Sequence, residues 1–204
     1  MKKFITFTLL LLLTFPLIIY TLTYKGEKRF TEAGGLPDIN TVIANARSLS
    51  LTPYDPLMGQ HGNIGGKLGL IVCSDIPDIA YGKSGYSFEV LMRNSFRKNP
   101  AYFDSANGNN PDNPFFHRRA RNLYAYFASI QSLKPTSYTP QAGDLVFYRK
   151  TPSGYIAHVA LVTAVSEEGY KIMESAPRTV LAQEVDMLSP ISRGWILAGF
   201  GKVY

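Results

Sequence analysis

The chain has 204 residues but a single cysteine, Cys73, and only three histidines. One thiol cannot close an internal disulfide, so stapling by cystine is excluded. No group of His, Cys and acidic residues has zinc-ligand spacing, and the expectation is a protein with neither metal nor cofactor. The glycine stretches "GGKLG" and "GNIGGK" are too short and wrongly placed for a phosphate loop. Basic and aromatic residues do not interleave, which argues against a nucleic-acid partner. Internal repeats are absent, and no composition shift marks a second folded domain, so a single domain and a monomer are expected.

What is present is globular in character: 46% hydrophobic and 18% charged residues. The formal net charge of +6 suits a polyanionic partner, such as anionic lipid or an acidic wall polymer, without choosing among them. "MKK" is followed by an uncharged run over residues 4–24 with "LLLLL" at its centre. That is the pattern of an export signal, and the run is also about long enough to span a bilayer. The exit, "YTLTYKGEKR", offers no small-x-small cleavage site, which favours an uncleaved anchor over a cleaved signal peptide. The expected division is an anchor or signal over 1–24, a linker over 25–37 and a domain over 38–204. The bulk of the chain is expected outside the cytoplasm, on the periplasmic face of a bacterial inner membrane, or free in the periplasm if the signal is cut.

Asp38 is a plausible N-cap, and Ile39, Val42, Ile43, Ala46 and Leu49 recur at helical spacing, predicting a helix over 38–49. "SGYSFEVLMRNSFRK" predicts a second, capped by Ser84 or Ser87. Residues 100–118 are dense in Asn, Asp, Gly and Pro and read as a long loop, followed by a helix over 119–132. From residue 143 onward the period is strand-like. Helices first and an antiparallel sheet afterwards predict an α+β fold.

An unpaired cysteine has two readings, an inert small hydrophobe in the core or a nucleophile. Cys73 sits where a turn-rich segment passes into a predicted helix, and the positive end of a helix favours a thiolate. Pro77 disturbs this picture. It lacks an amide proton and is harmless only in a first turn, so a helix there must start at or just after Cys73. A nucleophilic thiol needs a base. His61 lies in a glycine-rich loop, His117 in a run of arginines and His158 at the head of "HVALVTAV", the best placed of the three. The base needs an orienting partner. If Ala164 pairs with Tyr170 across a five-residue loop, 165–169, then Glu174 lies diagonal to His158 at about 7–8 Å between backbones. A slip of one residue presents Ser175 instead. Arg118, Arg119 and Arg121, next to His117, read either as a solvated helix start or as ligands for a substrate carboxylate. Asp112 is a further candidate to pair with one of them and fold the loop.

"VCSD", "PQAGDLVFYR" and "HVALVTAV" together resemble the NlpC-type cell-wall cysteine hydrolases of papain-like fold. "YDP" at 54–56, "DNPFFHRRARNL" at 112–123 and "ISRGWILAGF" near the end are similar, more closely, to an uncharacterised family of predicted amidases in that superfamily. The resemblance covers roughly residues 38–204. It implies N-terminal helices packed on a C-terminal antiparallel sheet, with Cys73 as nucleophile, His158 as base and Glu174 as third member. It also implies that Tyr54 supports the oxyanion and that peptidoglycan or its stem peptides are the partner; stem peptides supply carboxylates, and His117, Arg118 and Arg119 are the residues expected to contact them. Two rival readings stay open: a catalytically silent wall-binding module on the same fold, and an acyltransferase.

Overall fold

The computed structural model describes residues 34–57, 69–104 and 109–204. The expected anchor over 1–24 and His61 lie outside the described residues. Among the described residues, no helix is long and apolar enough to cross a membrane.

The described chain begins with α1 (Ile39–Arg47), whose N-terminus is closed by Asp38 accepting the Thr41 N–H at 2.9 Å. Val42, Ile43 and Ala46 bury one stripe of it. Two more helices follow, α2 (Asp75–Gly82) and α3 (Phe88–Lys98). Ser87 rather than Ser84 caps α3, accepting from the Val90 N–H. Glu89 in its first turn and Arg97 and Lys98 in its last match the helix dipole. Short 3-10 turns at Pro100–Tyr102 and Phe116–Arg118 break up the expected long loop. The helix expected over 119–132 is shorter, α4 (Ala120–Ser129), and the chain leaves it at Gln131 with φ 58°.

Six strands form one antiparallel sheet in the order β1-β6-β2-β3-β4-β5. They are β1 (Leu133–Lys134), β2 (Leu145–Arg149), β3 (Ile156–Ser166), β4 (Gly169–Glu174), β5 (Gln183–Asp186) and β6 (Ile196–Gly201). The short helix α5 (Leu188–Ser192) intervenes before β6, which a strand-like period did not foretell. The fold is therefore α+β, helices first and an antiparallel sheet after, as the change of period implied.

The β3–β4 hairpin differs from expectation in an instructive way. Ser166 pairs with Gly169, so only Glu167 and Glu168 make the turn, and Ala164 faces Lys171 rather than Tyr170. A bulge between Val162 and Ala164 absorbs the offset, and below it Val162 pairs with Ile172 and Leu161 with Met173. Continued one residue further, that register sets Glu174 across from Ala160, diagonal to His158.

The main core lies between the helices and one sheet face. Val42, Ile76, Tyr81, Phe88, Leu123 and Phe127 meet Leu145, Phe147, Val159, Leu161 and Met173 there. A smaller cluster on the opposite face includes Val146, Tyr148, Ala160, Val162, Ile172 and Phe200. Gly143 precedes β2 with φ +97°, and a Cβ there would stand 2.3 Å from Ile39 Cδ1. Only glycine lets that turn close against α1.

Candidate active site

Cys73 occupies a tight turn that leads into α2. The Val72 N–H donates to Asp75 Oδ2 at 2.7 Å, and the Asp75 N–H donates back to the Val72 carbonyl at 3.0 Å. Ser74 is the N-cap and Asp75 the first helical residue, so Pro77 falls in the first turn, where its missing N–H has no helical partner to lose. The residue as a whole is half-buried.

Behind this turn lies a buried ion cluster. Arg118 Nε and Nη2 fork onto Asp75 at 2.9 and 2.7 Å, and Nη2 also reaches Asp55 Oδ2 at 3.2 Å. The Asp55 N–H donates to the Ile71 carbonyl, and Tyr54 bridges Ile71 in parallel. One guanidinium thus ties the Tyr54–Asp55 segment to the cysteine turn. Ser175 Oγ donates to the same Ile71 carbonyl at 3.2 Å, which docks the end of β4 on that segment.

His158 comes from the sheet, on β3 directly across from Tyr148. His158 is 1% exposed and its Nε2 lies 2.9 Å from Glu174 Oε2, and Cys73 is near enough to act on the charge of the ring. Burial alone would depress the basicity of the ring, but Cys73 and Glu174 outweigh it and raise the imidazole to about 9. For Glu174, burial works against ionisation, yet His158 and Arg193 together hold its carboxyl below the usual range. Trp195 stacks on the imidazole with centroids 5.1 Å apart and 29° between planes, and Lys150 Nζ lies 5.5 Å over the indole.

The structure thus brings Cys73, His158 and Glu174 together. Tyr54 joins them: its phenol is raised first by burial and then by the charges of Cys73, Asp55 and Asp75, so it keeps its proton. Arg119 is half-buried, with its guanidinium 5.8 Å over the Phe115 ring and within electrostatic reach of Cys73. Arg118 is turned inward into the ion cluster, which leaves Nη1 as its one nitrogen without a hydrogen-bond partner. His117 is buried beside α3, with Nδ1 3.7 Å from Glu89 Oε1. Asp112 pairs with Arg97, and Arg121 with Asp104. Sequence reasoning missed the parts played by Asp55, Asp75, Arg193 and Trp195. The acidic residues of "YDP" and "CSD" were visible signals, since two carboxylates flanking a candidate nucleophile need a cation. Arg193 and Trp195 lie in "ISRGWILAGF", a stretch the family resemblance picked out without pointing to a role for either side chain.

A family model described as "Domain of unknown function (DUF1287)" matches residues 58–191, well over half of the chain. The chain belongs to that family. Among solved structures, an NlpC/P60 family protein from Bacillus cereus is similar at 14% identity and a TM-score of 0.49. The match covers 82% of this chain and 41% of that one. NlpC1 from Trichomonas vaginalis is similar at 10% identity and the same TM-score, over 86% of this chain and 48% of that one. The chain therefore spans less than half the length of either neighbour. No curated protein matches it. Cys73, His158, Arg118 and Glu174 all fall inside the stretch that the DUF1287 model covers.

Proposed function

We propose that this DUF1287 chain is a cysteine-dependent hydrolase of papain-like, NlpC type that cuts an amide bond in peptidoglycan through a thioester. The observation that carries the reading is a buried imidazole whose Nε2 lies 2.9 Å from the Glu174 carboxylate and on whose charge Cys73 also acts. A lone half-buried cysteine with a base on one side, and a base oriented by a third group, is the arrangement nucleophilic catalysis requires. His158 takes the thiol proton, and the resulting imidazolium is stabilised by Glu174. The thiolate attacks the amide carbonyl. The oxyanion is met by backbone N–H groups at the cysteine turn and by the Tyr54 O–H, a donor whose loss typically costs about 10²–10³ in rate. His158 then protonates the leaving amine, and water hydrolyses the thioester with His158 as base.

The substrate class rests on the sequence resemblance, the export segment and the basic charge. Arg119, on the cysteine side, is the arginine best situated to meet a stem-peptide carboxylate. Arg118 does structural work in this reading and is not a substrate ligand. Pro77, which required a helix starting at or just after Cys73, sits in the first turn, where a proline does no harm.

The test is incubation of the full-length protein and its Cys73→Ala variant with purified peptidoglycan, followed by mass analysis of released fragments. The reading expects new muropeptide masses from the wild type alone. Identical profiles contradict it, and masses corresponding to transfer onto an added amine support the acyltransferase instead.

A further inference from the structure

Glu174 is fully buried, and its two oxygens serve different partners. Oε2 faces His158 Nε2, and Oε1 meets Arg193 Nη2. Arg193 caps the C-terminal end of α5 and is itself fixed, since its Nε donates to the Ser189 carbonyl at 3.1 Å. Arg178 Nη1 donates to the Arg193 carbonyl at 3.4 Å, and two residues on, Trp195 stacks on the imidazole. The same short turn thus supplies both the cation beneath the carboxylate and the indole against the ring.

A carboxylate with no exposure is costly unless its charge is met. The imidazole meets it only while protonated, and in the proposed cycle the ring must give that proton away. At that moment Glu174 needs a counter-charge that does not titrate, and a guanidinium remains charged throughout. We propose that Arg193 is a positioning residue that acts on His158 through Glu174, keeping the carboxylate ionised and aimed while sharing its charge. Arg193 does not touch the thiol. Its effect is to limit how strongly Glu174 binds the imidazolium proton, so that the ring can release it.

Among the described residues, the groups that face His158 are Cys73 from the turn before α2, Tyr148 from β2 and Glu174 from β4, with Trp195 and the overlying Lys150 on a further side. Removing the Arg193 charge leaves the full Glu174 charge on the ring. Attraction to an undivided opposite charge favours the protonated form, so the imidazolium should persist to higher pH.

The test is the ring-nitrogen NMR titration of His158 in the full-length protein, tractable with three histidines in the chain. Wild type, Arg193→Gln and Arg193→Lys are compared. The expected result is a midpoint about half a pH unit or more higher in Arg193→Gln, with Arg193→Lys returning to within about 0.3 of wild type. An unchanged or lower midpoint in Arg193→Gln overturns the inference, because a tether that merely holds α5 does not move the titration in this direction. Arg193→Met, which keeps the aliphatic stem, gives the same reading should the Gln variant not fold. The inference rests on the thiol–imidazole site proposed above, but the titration needs no substrate. Absence of peptidoglycan cleavage by the wild type would remove the hydrolase reading alone, and an unshifted titration beside intact cleavage would remove Arg193 alone.

Discussion

At the scale of single residues, His158 bears on both chemistry and stability, because one buried ring answers to a thiol and a carboxylate. Replacing it by Ala is expected to lower kcat/KM on peptidoglycan by about 10²–10⁴, the usual contribution of a general acid–base. The same group gives the fold a pH signature. Its folded value, about 9, lies above the ordinary 6.5, so the native state holds the proton more tightly than the unfolded chain. That stabilisation is complete below the ordinary value and is lost as pH rises through about 9. Denaturant midpoints measured between those limits are expected to fall with pH in the wild type and to fall less in His158→Gln. Parallel slopes for the two proteins would count against the buried pair.

At the scale of elements, the cysteine turn depends on a cation whose inward place the sequence did not show. "HRRAR" reads as a solvated helix start or as ligands for a substrate carboxylate, and a period analysis has no means of turning one arginine inward. Yet the side chain of Arg118 is only 5% exposed and holds Asp75 and Asp55 together. Breaking such a buried pair from one side typically costs about 3–5 kcal/mol. Arg118→Met is therefore expected to lose stability on that order, measured by denaturant unfolding, and to slow Cys73 alkylation as the turn loosens. A variant that weakens only KM, with stability unchanged, would favour a substrate-binding role for this arginine. Asp78 on α2 makes the opposite case. Burial raises its carboxyl to about 6, with His117 countering and Glu89 adding to the rise. The native state there binds its proton more tightly than the unfolded chain, so ionisation costs stability as pH rises from 3.8 through about 6. Asp78→Asn is expected to raise the thermal midpoint at neutral pH and to leave it little changed near pH 3.5, checked by calorimetry at both.

At the scale of the whole molecule, the site is a meeting of two halves that the chain builds separately. The helical half supplies the thiol at the start of α2, and the sheet half supplies the base and its partner on β3 and β4. Much of this was legible. Asp38 and Ser87 announce their helices because a capping oxygen must precede the apolar stripe it serves. Strand alternation narrowed the partner of His158 to Glu174 or Ser175, and the register of β3 and β4 decides for Glu174. The hairpin turn was misread, but the bulge returned the register to the expected one below Ala164. What stayed hidden depends on contacts between elements distant in sequence. Arg193 and Trp195 reach the site only because α5 turns the chain back over the end of β4, and no local period encodes that return.

The most direct measurement of this meeting is the rate at which iodoacetamide alkylates Cys73 at pH 6, in the full-length wild type and in His158→Gln. An imidazole that takes the thiol proton speeds attack by the sulfur, so the wild type should react on the order of tenfold faster or more. Equal rates in the two proteins would contradict the account, because the sulfur would then owe nothing to the ring.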